Sequence, residues 1–299
     1  MDRRQFLEIA GRSFALASVV GALPRGALAQ DAPPKPGAPA APSAPTVRKG
    51  RIKHSVCRWC YGGMTLDDLC KNAAAMGIAS VEILSENDWP TLKKYGLTCA
   101  MPNGPGGITE GWNQAKHHDA LVKRSEELLP KIAAAGFPSM IVFSGNSNGQ
   151  SDADGIAQCA AGLKRIAPMA EKLGVTVALE YLNSKVDHGD YAFDNMRYGA
   201  EIVQKVGSSR VQILYDIYHA QIMEGDVIRT IQNHKDVISH YHTGGVPGRH
   251  EIDDTQELNY AAVCRAIAET GFKGFVSQEF VPVRDPMTSL RQAIDICDV

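Results

Sequence analysis

From residue 51 onward, short apolar runs alternate with longer stretches in which apolar residues recur every three or four positions. The short runs are "IKHSVCRW" (52–59), "SVEIL" (80–84), "LTCAM" (97–101), "SMIVFSG" (139–145), "VTVALEY" (175–181), "VQILYD" (211–216), "VISHYHT" (237–243) and "GFVSQEF" (274–280). Several are continuously apolar rather than alternating, as parallel strands covered on both faces require. Between them, segments 121–136, 155–174, 198–207 and 260–271 read as amphipathic helices, and each closes on glycine, the usual helix stop. Eight such alternations over about 250 residues have the size and rhythm of a (β/α)8 TIM barrel. The competing doubly wound sheet carries a glycine-rich phosphate turn after its first strand, and "RWCYGGM" matches that turn poorly.

The first 50 residues follow neither pattern. Arg3 and Arg4 precede a moderately apolar run and the small-x-small sequence "ALA" at 27–29, which predicts a twin-arginine export signal over 1–29. Residues 30–50 follow as a Pro/Ala-rich tether, with six of the sixteen prolines in its last twenty positions, a composition that disfavours helix and sheet. The expected organisation is therefore a signal peptide (1–29), a disordered linker (30–50) and one barrel domain (51–299), with a periplasmic destination.

Composition narrows the function. The chain of 299 residues is 44% hydrophobic with a formal net charge of -2. Nucleic-acid partners call for a clear Lys/Arg excess, which is missing. No apolar stretch is long enough to span a bilayer, so no membrane association is expected after processing. Cys57 and Cys60 form a C-x-x-C pair, but the seven cysteines lack the second pair of a structural zinc site and read as free thiols.

In a barrel the C-terminal ends of the strands share one face, where active sites are built. The fifth predicted strand ends in Glu180, the sixth in Asp216 and the eighth in Glu279, while the seventh carries His240 and His242 at alternate positions. Taken singly, Asp216 could be a helix cap and His219 a surface residue. Taken together, four successive strands deliver three carboxylates and an imidazole to one rim. Crowded carboxylates repel and raise one another's pKa unless a cation joins them. The donor set suits one divalent ion: Mn, Mg or Co, with Zn also compatible.

The motifs "LEYLN" (179–183), "YDIYHAQIMEGD" (215–226), "HYHTGGVPGRHE" (240–251) and "QEF" (278–280) resemble the xylose-isomerase-like barrel superfamily, its hydroxypyruvate-isomerase-like and ketose-epimerase-like members above all. The resemblance spans essentially 51–299. It implies a metal held by Glu180, Asp216, His242 and Glu279, with Glu180 and Glu279 as the acid–base pair and His219 and Arg249 on substrate oxygens. Histidine at 242 is closer to the ketose epimerases, since hydroxypyruvate isomerases commonly have glutamine there. Glu251 is expected beside the substrate as the ion-pair partner of Arg249. Trp59, Asn103 and His118 are weaker pocket candidates, and His240 reads as a packed core histidine, the alternative being a residue that supports the ligands.

The expected activity is isomerisation or epimerisation of a small α-hydroxycarbonyl compound, a hydroxypyruvate-like keto acid or an unphosphorylated keto-sugar. A cation on the carbonyl and hydroxyl oxygens would stabilise the enediolate, and two carboxylates would remove and return the proton. The alternatives are a dehydratase or lyase on the same site, or an exported sugar-binding protein without catalysis. A homo-oligomeric state is left open.

Overall fold

The computed structural model describes residues 47–299. The expected signal peptide and the tether up to residue 46 lie outside the described residues. The tether's last residues are tied to the barrel: Arg48 Nε donates to Met76 O at 2.9 Å, and Lys49 N donates to Asp298 Oδ1 at 3.0 Å.

Seven parallel strands form one sheet: β1 (Lys53–Cys57), β2 (Ser80–Glu82), β3 (Ser139–Val142), β4 (Thr176–Glu180), β5 (Val211–Asp216), β6 (Ile238–Thr243) and β7 (Phe275–Gln278). Their spatial order is β2-β1-β7-β6-β5-β4-β3. Around them run α1 (Leu66–Ala75), α2 (Trp89–Lys93), α3 (Ala115–Ala135), α4 (Asp152–Leu173), α5 (Met196–Val206), α6 (Ile217–Met223), α7 (Val227–His234), α8 (Tyr260–Glu269) and α9 (Pro286–Cys297). Helix ends obey local chemistry. Thr65, Ser151, Asn195 and Asp285 accept backbone N–H bonds as N-caps of α1, α4, α5 and α9, each satisfying a donor the helix leaves open. Gly136, Gly174 and Gly207 end α3, α4 and α5 with φ of 75°, 71° and 72°, a left-handed turn that costs any other residue energy.

The third predicted strand is present only in part. "LTCAM" makes a single parallel bridge, Ser80 to Thr98, and otherwise runs irregularly between β2 and β3. It still fills the gap. Thr98 N donates to Ala79 O at 3.0 Å and Ile83 N to Met101 O at 2.8 Å on one side, and Ile141 N to Pro102 O at 3.2 Å on the other. The cause lies just downstream in "PNGPGG", because proline gives no N–H to a ladder. The segment also presses close to its neighbour: a Cβ on Gly104 would lie 1.8 Å from Ile141 O.

The barrel interior has two unlike halves. Met101, Ile141, Ala178 and Leu214 form an apolar cluster contributed by the irregular stave, β3, β4 and β5. Facing it, β1, β2, β6 and β7 contribute Ser55, Cys57, Glu82, His240, His242 and Ser277, all buried. Buried polar groups require partners, and here they pair with one another. All seven cysteines are buried free thiols.

Candidate active site

Asp216 ends β5 and starts α6, and its two oxygens divide the work. Oδ1 caps the helix, accepting from Tyr218 N at 2.9 Å and His219 N at 3.3 Å. Oδ2 faces the strand-end cluster, so cap and candidate ligand are one residue. His219 is 1% exposed, a buried group rather than a surface one. Asn183 holds it through Nδ2, 2.6 Å from Nδ1, while Asn183 Oδ1 accepts from Val186 N and Asp187 N at 3.0 and 2.9 Å.

The four predicted ligands come together. One donor atom each from Glu180, Asp216, His242 and Glu279 lies within 4.8 Å of all the others, and all four residues are buried. His242 Nδ1 is 2.5 Å from Glu279 Oε2 and 3.2 Å from Glu180 Oε1, yet has no properly directed hydrogen bond. A buried ring nitrogen aimed among three carboxylates without a bonded partner fits a divalent cation. Three groupings of possible ligands occur among the described residues, and all share His242. The other two gather Cys57 and Glu279, or Glu82 and His240, around the same imidazole.

The opposite edge of His242 is fixed by a residue that sequence reasoning missed. Glu82 Oε1 lies 2.9 Å from Nε2 of both His242 and His240, and Ser55 Oγ donates to Glu82 Oε2 at 2.7 Å. With Nε2–H given to Glu82, Nδ1 is left for the cluster, a carboxylate–histidine arrangement typical of metal sites. Burial alone would raise the Glu82 pKa, but the charge and hydrogen bond of His240 and the hydrogen bond of His242 outweigh it and hold it low. His240, expected to be a packed core histidine, is part of this buried network. The available signal was a lone carboxylate inside the apolar run "SVEIL".

Arg249 reaches the cluster from the loop after β6. Its φ of 56° is a strained value for a non-glycine residue. Arg249 N donates to Gly245 O at 2.8 Å, and Val281 N donates to Arg249 O at 2.7 Å, pinning that turn. Nη2 lies 2.6 Å from Asp216 Oδ2 and 2.5 Å from Glu279 Oε2. The guanidinium also sits over the rings of Tyr218 and Trp59, at 4.8 and 5.6 Å. Its Nη1 is 2.5 Å from His219 Nε2. A neutral imidazole has one acceptor nitrogen, yet His219 meets a donor on both sides, Asn183 and Arg249. Burial and the Arg249 charge keep this imidazole neutral. Such a mismatch is relieved by an acceptor oxygen entering between His219 and Arg249.

The acid–base pair is electrostatically split. Burial pushes Glu180 up to about 7, the nearby His242 opposing this and the Glu279 charge adding to it. Burial also raises Asp216 to about 6 against the Arg249 charge. Glu279 moves the other way: burial is overcome by the charges of Arg249 and His242 and by hydrogen bonds, including Trp59 Nε1–H at 2.6 Å. Two neighbouring carboxyls with opposed proton affinities form the usual arrangement for acid and base roles.

Other expectations are corrected. Glu251 does not pair with Arg249. It accepts from Val283 N and Arg284 N at 3.1 Å and from Ser289 Oγ at 2.8 Å, which turns it away from the substrate position and clamps the loop after β7. His118 bonds Trp112 O at 2.9 Å within the α3 packing, and Asn103 donates to Ser85 Oγ at 3.2 Å. Neither lines the cavity. Trp59 does, and the cavity of about 470 Å³ also takes in Glu180, His219, Arg249 and Glu279.

A barrel with this strand-end cluster defines a class, and sequence comparison agrees: the profile of the xylose isomerase-like TIM barrel family matches residues 70–298, and the chain belongs to that family. A human protein, provisionally named a hydroxypyruvate isomerase, is 26% identical over 238 residues, covering 73% of this chain and 84% of its own. The 2-oxo-tetronate isomerase of Pectobacterium atrosepticum is 28% identical over 229 residues, covering 72% and 86%. Among solved structures, an AP endonuclease of family 2 from Brucella melitensis superposes with a TM-score of 0.72 at 23% identity, covering 80% of this chain and 97% of that one. That likeness shows the shared fold.

Proposed function

We propose that this enzyme of the isomerase–epimerase class moves a proton on a small α-hydroxycarbonyl substrate, using one divalent cation held by Glu180, Asp216, His242 and Glu279. The observation that carries the reading is the convergence of those four donors around an unbonded imidazole nitrogen. Relatives named as isomerases of hydroxypyruvate and 2-oxo-tetronate support the reaction class. Bound there, the cation would act as a Lewis acid on the carbonyl and hydroxyl oxygens and stabilise the negative charge that develops on them.

The chain's own groups do the rest. Glu279, kept ionised by Arg249, His242 and Trp59, is the base that takes the carbon-bound proton. Glu180, with its raised proton affinity, supplies a proton to the other position. Return to the adjacent carbon gives isomerisation, and return to the opposite face of the same carbon gives epimerisation. His219 and Arg249 bind substrate oxygens, which supply the acceptor that His219 Nε2–H and Arg249 Nη1 lack. The export signal read in the sequence completes the proposal by setting this chemistry in the periplasm on an unphosphorylated substrate.

The test is solvent exchange. Protein loaded with Mn or Mg, incubated in D₂O with hydroxypyruvate and small hydroxy ketones, should incorporate deuterium at the carbon bearing the hydroxyl, followed by NMR. Glu279→Gln should lower the exchange by about 10²–10⁴-fold. Full exchange in that variant removes Glu279 from the base role.

A further inference from the structure

The cavity over the acid cluster is chemically lopsided. Its polar groups come from β4 onward: Glu180, the segment after β4, His219, Arg249 and Glu279. The earlier part of the barrel contributes Ile83, Ile108, Ile141 and Phe143, joined by Leu182 and the Trp59 ring. Ile83 and Phe143 pack on the apolar interior cluster of Met101, Ile141, Ala178 and Leu214, so the apolar half is continuous from the barrel interior to its mouth. Ile83 holds a φ of 57°, a conformation that β-branched residues rarely adopt, and lines this wall.

A polyol fits this wall badly. Hydroxyls beyond the two reacting carbons would lose water against isoleucine and phenylalanine and find no partner. Hydroxypyruvate fits badly for another reason. Its seven heavy atoms, even at the roughly 30 Å³ a liquid water takes, would fill less than half of about 470 Å³. Resting on the proton-transfer reading of the site, we infer that the substrate carries an alkyl or aryl arm, and that this arm lies against Ile83, Ile108, Ile141 and Phe143 while the α-hydroxycarbonyl end meets the acid cluster. The substrate class is thus an α-hydroxycarbonyl compound with an apolar substituent, not a keto-sugar.

The experiment is a binding series on the Mn-loaded full chain by titration calorimetry. The probes are 1-hydroxyalkan-2-ones from hydroxyacetone to 1-hydroxyoctan-2-one, 1-hydroxy-3-phenylpropan-2-one, and the polyols dihydroxyacetone, erythrulose and fructose. Affinity should climb about fourfold per added methylene until the pocket is full, with the phenyl ketone well above every polyol. Ile108→Asn and Phe143→Asn should each flatten the climb to under twofold per methylene. Two variants at separate positions keep the test intact if one fails to fold, as circular dichroism would show. A flat alkyl series, or polyols binding more tightly than alkyl ketones, overturns the inference. Deuterium exchange on the same probes separates the two proposals. A steep alkyl series without exchange supports the apolar arm and counts against proton transfer, and exchange confined to polyols overturns the arm alone.

Discussion

Glu82 Oε1 lies 2.9 Å from His242 Nε2, and the two residues are 160 positions apart in the chain. The contact turns the imidazole so that Nδ1 faces Glu180, Asp216 and Glu279. Glu82→Gln should therefore lower divalent-cation affinity about 10–100-fold, measured by titration calorimetry, with little change in helix content. An unchanged affinity would show that packing alone orients His242.

Arg249 already occupies a cation's place beside Asp216 and Glu279, at 2.6 and 2.5 Å. Arg249→Met removes that charge. Divalent-cation affinity should rise about tenfold, corresponding to roughly 1.4 kcal/mol of relieved repulsion, while turnover falls about 100-fold through loss of an oxyanion donor. Opposite signs in the two measurements distinguish displacement of a competing cation from general damage to the site.

In the metal-free protein, Glu180 and Asp216 contribute stability that is lost as pH rises from about 4 to about 7. Burial lifts Glu180 from 4.5 to about 7 and Asp216 from 3.8 to about 6, so across that window these two groups hold more protons in the folded state than in the unfolded one. Where they do, their contribution to the unfolding free energy falls with increasing pH. His242, raised above 6.5 chiefly by the Glu279 charge despite its burial, extends the same trend upward. In thermal melts of metal-free protein, the unaltered chain should lose stability relative to Glu180→Gln as pH rises through that window. Cation binding near pH 6 should release protons, seen as a buffer-dependent binding enthalpy.

Trp59 stacks on Arg249 and donates Nε1–H to Glu279 Oε1 at 2.6 Å. Trp59→Phe keeps a ring and removes the donor. A hydrogen bond to a charged carboxylate contributes about 1.5–3 kcal/mol, so kcat/KM should drop about 10–100-fold and the acidic limb of the pH–rate profile should move upward. A drop with an unmoved limb would mean that Trp59 acts only by shape.

What the sequence determined is what depends on near neighbours along the chain. The left-handed glycines ending α3, α4 and α5 and the Thr, Ser, Asn and Asp caps each answer to a few adjacent residues. The strand-end positions of Glu180, Asp216, His242 and Glu279 were legible because a barrel brings all strand ends to one rim, so local position maps onto spatial position. Tertiary structure alone decided the rest. Whether Glu82 meets His242, whether Glu251 meets Arg249 or the loop after β7, and which half of the cavity is apolar all depend on which staves face one another after closure. The irregular third stave belongs with these: "LTCAM" has strand composition, but the Pro/Gly-rich chain after it and the close approach to Ile141 leave it only a partial ladder. A residue's type fixes what it can bond. Its partners are set by the ring that the whole chain closes.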